Sequence, residues 1–120
     1  MMLTADDLRR IAEVEYADIV VDSQPLGEKA RFFLYDANYI DVWLSRKLEG
    51  RFGYHWERSH IDGRVYRYDN FANTAWRDVS TYPRHFHNGS QDDVEAAPFA
   101  EDLVTGFREF LDFVRHRLGQ

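Results

Sequence analysis

The hydrophobic period of this 120-residue chain changes along its length, and that change decides its fold class. From Tyr16 to Phe71 the apolar side chains fall at alternate positions in several short runs, the spacing of strands with one buried face. From Pro98 the spacing turns helical, with Phe99, Leu103, Phe107, Phe110, Leu111, Val114 and Leu118 on one stripe. Glu101 and Asp102 open that segment, Arg115, His116 and Arg117 close it, and Gly119 stops it, as the helix dipole favours. A shorter helix is predicted over about residues 5–14, where Thr4 can cap the first turn, Asp7 sits at N3, and Leu3 and Leu8 have the spacing of a hydrophobic staple.

Between the helices the strands are predicted at Tyr16–Ser23, Glu28–Tyr35, Tyr39–Leu48, Arg51–Ser59 and Arg64–Phe71. Gln24-Pro25-Leu26-Gly27 and Asp36-Ala37-Asn38 read as turns, and Asp62-Gly63 as a two-residue hairpin. Residues 72–97 show no period and read as a long connection packed by Trp76, Tyr82 and Phe86. The expected architecture is α+β: an antiparallel meander sheet of about five strands, flanked by an N-terminal and a C-terminal helix, in one domain over residues 1–120. The helices would cover one face and leave the other to a ligand or partner. A free edge strand also makes a homodimer a reasonable state.

An apolar fraction of 44% argues against disorder, while no apolar run approaches the length of a membrane span, so no membrane partner is expected. With no cysteine there can be neither a disulfide framework nor a thiolate zinc site. The start, Met1-Met2-Leu3-Thr4-Ala5-Asp6, lacks a basic region followed by an apolar stretch, and a cytoplasmic location is the expectation.

Four of the five histidines lie between residues 52 and 87, among Asp, Asn and Arg. Imidazole gives and takes protons near neutral pH, which makes this region the candidate site. The net charge of −6 argues against a polyanionic ligand, but residues 51–87 hold six arginines against four acids, a local +2 that coincides with the histidines. Only Lys29 and Lys47 are lysines, so the basic groups are guanidinium forks suited to phosphate.

A two-residue turn at Asp62-Gly63 would set His55 opposite Asn70, and a bulge would set it opposite Asp69; the pattern alone does not choose. His85 and His87, two apart, point the same way in extended chain. The leading chemistry is metal-independent RNA cleavage with no cofactor. His55, His85 and His87 are the acid and base candidates, Asp69 and Asn70 orient them, and Arg67 and Arg84 bind phosphate. Tyr54, Trp56 and Tyr82 are the candidate RNA-stacking residues, with Tyr66 and Tyr68 also considered. Two other readings are weighed against it: a non-enzymatic module that binds a protein through its sheet face, and a metal-dependent phosphodiesterase in which His85 and His87, joined by His55 or Asp69, hold the ion.

The order Tyr54-His55-Trp56-Glu57, Arg67-Tyr68-Asp69-Asn70, Tyr82-Pro83-Arg84-His85-Phe86-His87, followed by a terminal helix, resembles the TumE family of prokaryotic toxin-antitoxin toxins. Relatives show Tyr-His-Trp-Gln, Arg-Trp-Asp-Asn and Phe-Pro-His-His-x-His in that order, so His55, Trp56, Asp69, Asn70, Pro83, His85 and His87 match. This chain departs from the pattern with Phe71-Ala72-Asn73 where a Pro-His-His run is common, and with Arg84 in place of a histidine. The resemblance implies a small cytoplasmic toxin that inhibits growth, acts on RNA, and is neutralised by a cognate antitoxin of helix-turn-helix type.

Overall fold

A computed structural model describes residues 2–119. Helix α1 (Ala5–Glu15) starts as its sequence predicts: Thr4 Oγ1 accepts from the Asp7 amide at 3.2 Å and Asp7 Oδ2 accepts from the Thr4 amide at 2.9 Å, a reciprocal capping box. Its Ala5, Leu8 and Ala12 are buried. Seven strands follow among the described residues: β1 (Val20–Leu26), β2 (Lys29–Leu34), β3 (Tyr39–Leu44), β4 (Phe52–Arg58), β5 (Arg64–Asp69), β6 (His85–Gly89) and β7 (Val94–Ala96). A one-turn helix α2 (Ser59–Asp62) sits between β4 and β5, a 3₁₀ turn spans Thr74–Trp76, and α3 (Leu103–Leu118) ends the chain. The strands pair antiparallel in sequence order, a meander from β1 to β7. Among the described residues no helix is long and apolar enough to cross a membrane.

Alternation along these strands gives the sheet two unlike faces. Ala30, Phe32 and Leu34, then Ile40, Val42 and Leu44, then Phe52, Tyr54 and Trp56, and finally Tyr66, Tyr68 and Phe86 form the inner face. Both α1 and α3 pack on it, α3 through Phe107, Phe110, Leu111 and Val114. The aromatic rings meet edge to face, as their quadrupoles prefer: Phe107 lies 5.9 Å from Phe32 and 5.5 Å from Tyr54. Asp102 caps α3 by accepting from the Thr105 amide at 2.9 Å, so the helix begins four residues after Phe99 rather than at Pro98, although Phe99 is still buried in the core.

The sheet has seven strands, not about five. Strand β6 escaped detection because its buried residues on the outer face are His85 and His87, so its polarity pattern does not reflect its burial. Strand β7 is three residues long and exposed at two of them. At the other edge β1 runs through Pro25 and Leu26, and the hairpin turn is Gly27-Glu28, with Gly27 at φ +66°. An edge strand tolerates Pro25 because one side of it needs no amide donor. Strand β3 stops at Leu44, where Ser45 Oγ accepts from the Lys47 and Leu48 amides and turns the chain.

Both expected registers of the β4–β5 hairpin are overturned. Asp62-Gly63 does not form a two-residue turn. Glu57 Oε2 accepts from the Ser59 amide at 2.9 Å, Arg58 pairs with Asp62 at 2.8 Å, and Gly63 closes the α2 turn at φ +75°. The loop therefore holds five residues, Arg58 faces Arg64, and His55 faces Arg67 instead of Asn70 or Asp69.

Phe107 has no exposed surface and joins α3 to two strands. Phe107→Ala is expected to cost about 3–5 kcal/mol, read as a lower urea midpoint at unchanged slope.

Candidate functional site

The register of the central strands sets two cross-strand rows on the outer face. In one, His55 of β4, Arg67 of β5 and His87 of β6 are directly opposed; in the next, Gly53, Asp69 and His85 are. Beyond His55 the first row continues to Asp41, which holds Arg31 with bonds of 2.8 and 3.0 Å. The rows line a cleft of about 330 Å³, roofed by Trp76. It continues past His55, Arg67 and Phe71 into a second hollow of about 450 Å³ floored by Asp41 and Trp43. Phe71 stacks on Trp43 with ring centroids 5.4 Å apart.

Asp69 organises the cleft. It is 2% exposed, and Oδ2 accepts from Arg67 Nε at 2.7 Å, while Oδ1 accepts from the Phe71 amide at 2.9 Å and lies 3.2 Å from His85 Nε2. Among the described residues Arg67 bonds only through Nε, which leaves both terminal NH₂ groups for an anion. The guanidinium lies over Gly53, where a Cβ would come 2.7 Å from Nη2. A larger residue there would push the guanidinium out of its present position.

The three histidines differ in which nitrogen remains available. His85 is 2% exposed; its Nδ1 is 2.9 Å from the Pro83 carbonyl, which can only accept, so Nδ1 carries a proton, and Nε2 faces Asp69. Both ring nitrogens are engaged, which takes His85 out of direct proton transfer to a substrate. His87 donates Nδ1–H to the Gln91 carbonyl at 2.9 Å, which fixes the lone pair on Nε2. Burial holds its pKa below the ordinary histidine value, against the opposing pull of that hydrogen bond. Trp76 stands edge-on to it, 6.0 Å between centroids. His55 is half-buried, with Nε2 3.2 Å from Glu57 Oε1. Burial opposes ionisation of Glu57, but hydrogen bonds from Ser59 and His55 outweigh it and hold the carboxyl below its usual range.

Five of the residues expected from sequence therefore come together: His55, Arg67, Asp69, His85 and His87. The other five do not. Asn70 accepts from the Phe52 amide at 3.0 Å and donates to the Gly50 carbonyl at 2.8 Å, pinning the start of β4. Arg84 donates to the Phe99 carbonyl at 2.9 Å and meets the Tyr68 hydroxyl at 3.1 Å; with Tyr82 and Asn70 it lines a separate hollow. Tyr54 and Trp56 have no exposed surface; Tyr54 donates to the Leu103 carbonyl and Trp56 to Asn38 Oδ1, so neither can stack on a base. Alternation along β4 sends Tyr54 and Trp56 inward and His55 outward, so the stacking role expected of these two aromatics is not available to them. Gly53, Trp76 and the Gln91 carbonyl were not anticipated as parts of the site. A glycine inside a strand was a usable signal of close approach.

A family model described as Toxin TumE matches residues 3–118 of the chain. No curated protein and no solved structure matches it.

The His87 geometry is testable in solution. Long-range ¹H–¹⁵N spectra at pH 7 are expected to show the neutral Nδ1–H tautomer, titrating below about 6.5. Because the folded pKa lies below the unfolded one, this histidine's contribution to stability is full above about pH 6.5 and is lost as pH falls through the folded value. An Nε2–H tautomer would refute the assignment of the free lone pair.

Proposed function

We propose that this chain, which belongs to the TumE toxin family, inhibits growth by cleaving RNA in the cleft of the outer sheet face. Family membership supports the toxin role and, with it, a cognate antitoxin. The RNA-cleaving chemistry rests on one observation, the row His55–Arg67–His87. Two inter-strand spacings separate the backbones of the histidines by about 10 Å, enough for a phosphodiester with a hydrogen bond of about 3 Å on either side.

In that pose the terminal NH₂ groups of Arg67 hold the non-bridging phosphate oxygens and neutralise the charge that grows on them. His87 Nε2 takes the proton of the ribose 2′-OH, the 2′-oxygen attacks phosphorus, and a 2′,3′-cyclic phosphate forms as the 5′-oxygen leaves. His55 delivers a proton to that oxygen through Nδ1, while Glu57 holds the ring at Nε2. Asp69 and His85 position Arg67 and the β6 backbone without touching substrate. Unpaired bases have a surface at Phe71, which is exposed and stacked on Trp43. The reading takes the cytoplasm as the place of action, a helix-turn-helix protein as antitoxin, and a homodimer through the free edge of β1; sedimentation of the toxin alone at a monomer mass would remove the homodimer.

Purified protein incubated with single-stranded RNA is expected to give 2′,3′-cyclic phosphate ends and to leave DNA of the same sequence intact. His55→Ala and His87→Ala should each lower the rate by about 10²–10⁴-fold. Cleavage unchanged in the double variant would overturn the assignment. RNA left intact by a toxin that still binds a cellular protein would select the non-enzymatic module.

A further inference from the structure

The second row of the outer face has a chemistry that the proton-transfer reading does not use. Asp69, His85 and His87 each offer one donor atom, and these atoms lie within 4.8 Å of one another. One pair, His85 Nε2 and Asp69 Oδ1, is 3.2 Å apart. A tetrahedral cation with bonds of about 2.0–2.1 Å to nitrogen and oxygen spaces its ligand atoms about 3.3–3.4 Å apart, so that pair already has a ligand spacing and His87 needs only a small inward shift.

The outer contacts point the same way. Both histidines spend Nδ1–H on backbone carbonyls, Pro83 for His85 and Gln91 for His87, each at 2.9 Å. This is the arrangement by which proteins fix the tautomer and ring angle of a metal-binding imidazole, and it directs both Nε2 lone pairs to the same space. The three side chains are each 2% exposed. At that burial a histidine Nε2 facing a carboxylate oxygen needs a positive centre between them, which a proton or a metal cation can supply. Asp69 Oδ2 is already held by Arg67, so the carboxylate would bind through Oδ1 alone.

We propose that Asp69, His85 and His87 form a three-ligand site for a divalent transition metal of the zinc class, with a fourth position opening on the cleft. Two imidazoles and one monodentate carboxylate suit a borderline cation, whereas magnesium and calcium prefer oxygen ligands throughout. Cation binding is independent of RNA. Its effect on cleavage rests on the function proposed above: a metal on His87 Nε2 occupies the lone pair that would take the 2′-OH proton, so the loaded protein and the cleaving protein exclude each other.

The test titrates Zn²⁺ into chelator-treated, full-length protein without RNA, by calorimetry and by competition with a chromophoric chelator. One equivalent should bind, and His85→Ala and His87→Ala should each weaken it by about 100-fold or more. His60→Ala, at an exposed histidine bonded to the Ala37 carbonyl, should leave it unchanged. Because either core variant can fail to fold, two readouts use the natural chain: its thermal midpoint should rise with Zn²⁺, and Co²⁺ should give the visible absorption of a four- or five-coordinate nitrogen–oxygen site. Absence of stoichiometric binding, or binding lost in His60→Ala and retained in folded His87→Ala, would overturn the proposal. With RNA added, suppression of cleavage by one equivalent of Zn²⁺ is expected; stimulation would keep the metal site and overturn the base role of His87.

Discussion

The outer face of this sheet depends on one buried carboxylate. A charge 2% exposed costs several kcal/mol unless it is paired, and Asp69 is compensated on every side: by Arg67 on one oxygen, and by His85 and the Phe71 amide on the other. Each of those bonds also fixes something else. The Arg67 bond lays the guanidinium over Gly53, the Phe71 bond turns the chain out of β5 toward the segment that carries Trp76, and the 3.2 Å contact with His85 Nε2 adds a side-chain link between β5 and β6 to their backbone pairing. Removing the carboxylate would leave the Arg67 Nε–H and the Phe71 amide without their acceptor and His85 Nε2 without its neighbour, which makes Asp69 the group whose loss disorganises the cleft rather than a reagent within it.

Above this arrangement lies the register, and below it the core. The five-residue loop built around α2 sets His55 against Arg67, and the β5–β6 pairing sets Arg67 against His87. A slip by one residue would send all three side chains into the aromatic core, where Tyr54, Tyr68 and Phe86 now pack. The inner face therefore enforces the geometry of the outer one: the burial of those rings against α3 makes the row of His, Arg and His a rigid feature of the sheet.

Much of this was legible from the residue pattern, and the failures have local causes. The capping box at Thr4 and Asp7, the helical stripe of α3 and the alternation of β2 to β5 are short-range signals, and they survive folding nearly unchanged. The equal orientation of His85 and His87 also holds, because β6 is extended. What was hidden depended on side-chain hydrogen bonds and ion pairs, which the hydrophobic pattern does not show. Strand β6 carries buried histidines whose partners are Asp69 and two backbone carbonyls, so its polarity gives no sign of its burial. Arg84 sits beside His85 in the sequence, yet it precedes β6 and serves Tyr68 and Phe99 instead of the cleft. The hairpin register turned on whether Glu57 and Arg58 would cap a helical turn, a competition between local hydrogen bonds that composition alone does not settle.

Whether the row His55–Arg67–His87 cuts RNA is tested most directly by the integrity of total cellular RNA minutes after induced expression. The natural chain should fragment RNA, while a folded His55→Ala, His87→Ala double variant should leave it intact. Growth arrest with intact RNA in both cases would contradict the claim and assign the toxic effect to binding of another cellular target.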